Sequence, residues 1–176
     1  MCEFTIFPQA VEDEVLLDPL LDITFGSNRK ARPSYRLRDG IDPIDQLCFS
    51  AKSPEGEFLA TLRFWPVLIG GEEALLLGPL AVQPHLQGKG IGKALVAHGV
   101  KQAKELGYRI CFVVGEQRYY APYGFVPAHA LGFDMPVPVD TDRFQVMTLQ
   151  GTSFDLLPKG VIEIWNRAPV RKRKAL

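Results

Sequence analysis

The sequence predicts a mixed α/β fold, in which a central mixed sheet begins as an antiparallel meander, continues through a β-α-β unit and carries helices on both faces. Residues 74–82 form an uninterrupted run without a polar side chain, which is typical of a strand buried on both faces. A glycine-rich turn follows at residues 87–92. Apolar side chains then recur at three- and four-residue spacings over residues 95–106, as in an amphipathic helix.

The residues before this run predict the first half of the sheet. An acidic stretch at residues 11–25 favours a helix that begins or restarts at Pro19, because proline suits a first helical turn. Short segments with strand-like composition flank this helix, and turn-forming residues separate the later ones. We therefore predict an antiparallel meander with strands at residues 2–7, 46–52 and 57–67.

The residues after the glycine-rich turn and its helix predict the second half of the sheet. Residues 109–114 are apolar and follow the helix directly, so this strand should lie parallel to the central strand through a right-handed crossover. Residues 115–125 are expected to form a short helix. Residues 127–139 are broken by prolines and can pair only at a sheet edge or beside a bulge. Late strands are predicted at residues 144–149 and 161–165.

The composition indicates an ordinary globular protein. A chain of 176 residues is long enough to bury one core, so we expect a single domain spanning residues 1–176, with a basic and disordered tail at about 167–176. Twenty basic and twenty acidic side chains cancel, which argues against nucleic acid or a membrane surface as the main partner. We expect a monomer or a homodimer.

The cysteines bear on the compartment and on metals. Cys2, Cys48 and Cys111 are an odd number without metal-ligand spacing. We expect reduced thiols, a cytoplasmic protein and no metal site.

The glycine-rich turn favours an anion site. Three glycines within five residues leave backbone N–H groups uncovered at the positive end of the following helix, and Lys89 and Lys93 add positive charge. The alternative is a tight turn before a glycine-capped helix. The dinucleotide fingerprint fails because Lys93 occupies its third glycine position, and the P-loop fails because Ala94 stands where a metal-binding hydroxyl is needed.

The pattern that does match is Q-x-x-G-x-G, formed by Gln87, Gly90 and Gly92. Together with the strand before it and the helix after it, residues 80–95 resemble the pyrophosphate loop of the GNAT superfamily of acyl-CoA-dependent N-acetyltransferases. This resemblance implies acetyl-CoA as cosubstrate and direct transfer of its acetyl group to a primary amine in a ternary complex. The cofactor-binding residues that it implies are Leu80, Ala81, Val82, Gln87, Gly88, Lys89, Gly90, Ile91, Gly92, Lys93, Gly115, Tyr119 and Tyr120.

Pro79 predicts an irregularity in the central strand. Proline cannot donate to the ladder, and Gly78 beside it permits a bulge that would splay this strand from its parallel neighbour. An edge strand is the alternative, but the apolar neighbours oppose it. The freed backbone groups of residues 80–82 would bind pantetheine like an added strand. By the resemblance, one N–H there stabilises the oxyanion, and we name Val82 as a catalytic residue on that ground.

Residues 120–125 resemble the family's Y-x-x-x-G-F motif, in which the tyrosine hydroxyl protonates the departing CoA thiolate. Tyr120 is therefore the expected acid, because a phenol stays protonated at neutral pH. The alternative is an aromatic residue that only fills the core. Tyr119 and Tyr123 are expected to pack or to contact CoA.

Two departures from the family leave the function open. An asparagine common in the family is replaced by residues 115–117, and the central strand lacks the glutamate that often serves as general base. Glu72, Glu73 and Glu116 are possible substitutes. A non-catalytic acyl-CoA-binding or regulatory module is the alternative function. The acceptor stays undetermined, and the basic segment 26–40 is either a solvated loop or a wall of the acceptor cleft.

Overall fold

The computed structural model describes residues 2–167, so most of the predicted basic tail lies outside the described residues. Three α-helices occur in this range: α1 (Glu14–Phe25), α2 (Ile91–Glu105) and α3 (Gln117–Tyr120). The strands in the same range are β1 (Thr5–Pro8), β2 (Cys48–Lys52), β3 (Phe58–Ile69), β4 (Glu72–Val82), β5 (Ile110–Val114), β6 (Val126–Pro127), β7 (Phe133–Asp134), β8 (Phe144–Thr148), β9 (Gly160–Val161) and β10 (Glu163–Ile164).

The main sheet has the order β1-β2-β3-β4-β5-β8-β6, and β10 pairs with the far end of β3. The pairing of β4 with β5 is parallel, and the other pairs of this sheet are antiparallel. Strands β7 and β9 form a small separate parallel pair. The predicted mixed sheet, with a meander followed by a β-α-β unit, is therefore confirmed.

Helices cover both faces of the sheet. Helix α2 packs with Leu62 and Phe64 of β3 in one core cluster, whereas α1 packs against Ala81 of β4 in another. Leu80 packs on the α2 side, and neighbouring residues of a strand point to opposite faces, so α1 and α2 lie on opposite sides. No helix within residues 2–167 is long and apolar enough to cross a bilayer.

Two local predictions need correction. Helix α1 continues through Pro19 and does not restart there. The carbonyl that loses its donor belongs to Val15, whose side chain is exposed, so water can satisfy it. The predicted late strand at 161–165 is split between β9 and β10, because its two halves pair with different partners.

Strand β4 contains the predicted bulge. In the pairing with β3, Leu62 lies opposite Leu80 and Phe64 lies opposite Leu77, so β4 carries one extra residue over this interval. The Gly78–Pro79 peptide within it is cis. Parallel pairing with β5 ends at Leu77, so the two strands separate beyond the bulge, as the sequence predicted.

A buried carboxylate links the start of the chain to the sheet. Asp13 accepts hydrogen bonds from the Ser50 hydroxyl at 2.8 Å and the Ala10 N–H at 3.0 Å, and its other oxygen lies 2.7 Å from Lys52 Nζ. Burial alone would raise the pKa of Asp13, but the bonds from Lys52, Ala10 and Ser50 outweigh it and hold the pKa below the ordinary 3.8. The ionised carboxylate therefore stabilises the fold.

We expect Asp13→Asn to lower the free energy of unfolding at neutral pH by about 1–3 kcal/mol, because it leaves buried polar partners unsatisfied. The folded-state pKa of Asp13 is depressed, so its stabilisation is present above the unfolded-state pKa and is lost as the pH falls through the folded-state value. Urea unfolding of both proteins from neutral to strongly acidic pH should therefore show converging stabilities. The exposed Asp155→Asn is the control, and a stability difference that stays constant down to low pH would contradict this role.

Candidate functional site

A cavity of about 860 Å³ opens where β4 and β5 separate. Its wall combines the end of β4, the start of α2, the residues after β5 and the segment after α1. Of the residues predicted to bind the cofactor, those in the wall are Leu80, Val82, Gln87, Gly88, Gly90, Ile91, Gly92, Lys93, Gly115, Tyr119 and Tyr120. The wall does not include Ala81 or Lys89.

The end of β4 presents backbone groups to this cavity. The Gln83 N–H donates to the Leu59 carbonyl of β3 at 2.9 Å. Since backbone groups alternate in direction along a strand, the N–H groups of Val82 and Leu80 point away from β3, toward the gap left by β5. Ala81 has the opposite orientation, and its side chain is buried against α1. The Gln87 side chain donates to the Val82 carbonyl at 3.3 Å and holds the following loop against the strand.

The start of α2 presents further N–H groups. Gly90 is the N-cap residue and has a φ of 91°, a left-handed conformation that favours glycine. Ala94 N–H donates to the Gly90 carbonyl at 3.0 Å and begins the helical ladder, so the N–H groups of the preceding first turn have no intrahelical acceptor. Lys93 is exposed beside them. This end of the cavity is suited to an anion.

Tyr120 is held by its surroundings. Only 8% of it is exposed, and its ring makes edge contacts with Tyr119 at 4.9 Å and Phe125 at 5.7 Å between centroids. A Cβ on Gly115 would lie 2.3 Å from Tyr120 Cε2, so only glycine leaves room for the ring. Burial raises the pKa of Tyr120, Tyr119 adds to that effect, and the phenol stays protonated at neutral pH.

The two neighbouring tyrosines differ in position. Tyr119 lines the cavity, and its hydroxyl lies against the first turn of α2, 2.6 Å from where a Cβ on Gly92 would be. Burial raises the pKa of Tyr119 to about 12. Tyr123 lies outside the wall and donates to the Lys93 carbonyl at 3.3 Å.

The carboxylates proposed from the sequence fall in different places. Glu72 pairs with Arg109 at 2.6 Å, and Glu73 pairs with Arg167 at 3.4 Å; both lie at the start of β4 and line a different pocket. Glu116 lies in the cavity wall. Among residues 2–167, no group of histidines, cysteines and carboxylates could hold a metal ion.

Sequence reasoning missed several residues of the wall. Asp140 and Arg143 lie in the irregular segment before β8, where no motif pointed to them. Arg32, Tyr35 and Arg38 come from the basic segment 26–40, where the concentration of arginines was the available signal. This segment is folded into short 3₁₀ turns and contributes residues to the cavity wall.

Comparison with curated proteins gives a relative and a family. A model of the acetyltransferase (GNAT) family matches residues 17–125. The uncharacterised N-acetyltransferase YhbS of Escherichia coli K12 is 32% identical over 135 residues, which cover 76% of this chain and 80% of YhbS.

Solved structures agree with this match. The crystal structure of E. coli YhbS in complex with CoA has a TM-score of 0.80 and 27% identity, with 94% of this chain and 91% of that chain covered. A GNAT family acetyltransferase from Brucella melitensis in complex with acetyl-CoA has a TM-score of 0.68 and 27% identity, with 93% and 96% covered. Since the family model matches more than half of the sequence and the YhbS match spans three quarters of it, the chain belongs to the GNAT acetyltransferase family.

Proposed function

We propose that this protein transfers the acetyl group of acetyl-CoA to a primary amine by direct attack in a ternary complex. One observation carries the proposal: the cavity brings the free edge of β4, the start of α2 and the buried phenol of Tyr120 together. The relatives crystallised with CoA and acetyl-CoA support the choice of cosubstrate. In this proposal, residues 1–176 act as one catalytic domain in the cytoplasm, and the free thiols of Cys48 and Cys111 fit a reducing compartment.

The residues of the wall fit the parts of acetyl-CoA. The N–H groups at the start of α2 and the Lys93 ammonium would bind the pyrophosphate. The outward-facing backbone groups of Leu80 and Val82 would pair with the pantetheine amides, as a neighbouring strand does. The Gln87 side chain helps to fix this edge of β4, because it donates to the Val82 carbonyl.

The chemistry then needs three events at one place. The amine nitrogen attacks the thioester carbonyl carbon, the C–N bond forms, and the C–S bond breaks with its electron pair on sulfur. The charge that develops on the carbonyl oxygen is stabilised by a backbone N–H of β4. The N–H groups of Val82 and Leu80 have the same orientation, and such a donor is worth about 3 kcal/mol. Tyr120 gives its proton to the departing sulfur.

The amine must also lose a proton, so the reaction needs a base. Glu72 and Glu73 lie outside the cavity and are paired with arginines, so neither is a candidate. Glu116 and Asp140 are the carboxylates of the described wall, and water in the cavity would carry the proton to them or to solvent. Because β4 places no carboxylate in this wall, a non-catalytic acyl-CoA-binding module is the second candidate function.

We expect Tyr120→Phe to lower kcat by about a hundredfold, the low end of general acid catalysis, because a thiolate is already a tolerable leaving group. Acetyl-CoA affinity should stay within about twofold, since the hydroxyl acts mainly in the transition state. Steady-state CoA release with an acceptor found by screening amine classes, together with calorimetry, measures both quantities.

Tyr123→Phe is the matched control, because that hydroxyl lies outside the wall, and it should leave kcat near the wild-type value. Full turnover in Tyr120→Phe would remove the acid role and leave Tyr120 as a packing residue. Acetyl-CoA binding without CoA release from any amine would favour the non-catalytic module.

We expect Lys93→Gln to weaken acetyl-CoA binding about tenfold, the worth of one charged hydrogen bond to phosphate. Lys101→Gln on the same helix is the control, because Lys101 is similarly exposed but lies about two turns from the cavity. Calorimetry at two salt concentrations should show that the loss in Lys93→Gln is smaller at high salt. Equal affinities in the two variants would place the pyrophosphate elsewhere.

A further inference from the structure

The segment after α1 supplies the cavity with a guanidinium that has no acidic partner. Arg38 lies in the wall, and its Nη2 atom is 3.3 Å from where a Cβ on Gly78 would be. Among residues 2–167, no ion pair includes Arg38, and its buried Nε has no hydrogen-bond acceptor. An arginine this close to the β4 bulge is therefore an unused cation beside the reaction centre proposed above.

Aromatic rings fix the orientation of this cation. The guanidinium carbon of Arg38 lies 5.0 Å from the ring centroid of Tyr35 and 5.7 Å from that of Trp65. The indole N–H of Trp65 is also buried without an acceptor in the described part of the chain. Trp65 lies outside the cavity wall, so the Arg38 guanidinium is the donor that this point offers to an anion.

Of the other charged groups of the wall, Lys93 lies at the start of α2 and Arg143 on the segment before β8, and the remaining three are already engaged. Arg32 donates to the Phe25 carbonyl at 2.9 Å, so its guanidinium is already engaged. Glu116 pairs with Arg118 at 2.8 Å, and Asp140 accepts the Asp142 N–H at 3.0 Å. Neither carboxylate forms an ion pair with Arg38 within the described residues, so the charge of Arg38 is left for a ligand.

We propose that the acceptor is an amine that also carries a carboxylate, and that Arg38 binds this carboxylate beside the Gly78–Pro79 bulge. This inference rests on the proposed acetyl transfer and names the substrate class of the same site. A planar guanidinium matches a carboxylate with two parallel hydrogen bonds. The single charge of a carboxylate is also the amount that one arginine neutralises, whereas a phosphate monoester carries nearly two.

Burial adds an energetic reason. It lowers the pKa of Arg38 to about 10, with Tyr35 acting in the opposite direction, so the charged form is disfavoured in the free protein. A bound carboxylate would relieve that cost. Because Gly78 and Pro79 lie next to Leu80, the carboxylate would be held close to the thioester, and the acceptor should have its amine and carboxylate separated by a short chain.

The first test uses the wild-type chain. CoA release is measured with a series of unbranched ω-amino carboxylates, each compared with its own carboxamide and its phosphonate analogue, which keep the amine in place. We expect kcat/KM for the best carboxylate to exceed that of its carboxamide at least about tenfold, as for other charge-assisted bonds. Equal values, or a preference for the phosphonate, would overturn the proposal.

The second test assigns the preference to Arg38. Arg38→Met keeps the apolar stem, and we expect it to lower kcat/KM for the carboxylate about tenfold while leaving the carboxamide nearly unchanged. Arg36→Met is the matched control, because Arg36 is an exposed arginine of the same turn that lies outside the wall. Equal losses on both substrates would show that Arg38 only supports the fold and would overturn its binding role.

The two proposals fail in different ways. If no amine releases CoA although acetyl-CoA binds, the acetyl transfer itself is wrong. If neutral amines are acetylated as well as amino carboxylates, the transfer stands and the carboxylate assignment is wrong. Calorimetry of acetyl-CoA with Arg38→Met should give the wild-type affinity, because Arg38 lies on a different segment from the proposed CoA-binding residues.

Discussion

The extra residue of β4 at Gly78–Pro79 is the constraint on which the rest of the site depends. It ends the pairing with β5 at Leu77, which opens the cavity and leaves backbone groups without a partner strand. It also shifts the alternation of the strand, so that Leu80 faces α2 and Ala81 faces α1. A regular ladder through this point would remove both the cavity and the free edge.

The two ends of the cavity offer different chemical groups to a ligand. At the CoA end, the binding groups proposed here are mostly backbone N–H groups, whose direction is set by the strand and by the left-handed Gly90. At the other end, the wall is made of side chains such as Tyr35 and Arg38. Tyr120 differs from both ends. Its proposed role needs the proton of a side chain, but Gly115 and Phe125 fix the position of the ring.

Sequence reasoning succeeded where the physical cause is local. A proline inside an apolar run predicts a bulge, and a glycine-rich turn before a helix predicts exposed N–H groups, so these features could be read from neighbouring residues. The positions of Arg38 and Asp140 depend on contacts between segments far apart in the chain, and no periodicity or spacing encodes them. The orientation of Ala81 could not be predicted for a similar reason, because the extra residue at the bulge decides which face of the sheet its side chain takes.

The 3₁₀ segments at Arg29–Ala31 and Pro33–Arg38 are tied to α1 through Arg29 and to the sheet through Leu37, which is buried in the core cluster of β3, β4 and β5. Arg29 is buried and bonds Asp18 at 2.5 Å and Asp22 at 2.8 Å, both on α1. The wall that carries Arg38 is therefore held in part by a helix that takes no part in the proposed transfer step. In evolutionary terms, the proposed acceptor preference and the proposed transfer step use different segments, so substitutions in the turns after α1 would change the first while the end of β4 and Tyr120 preserve the second.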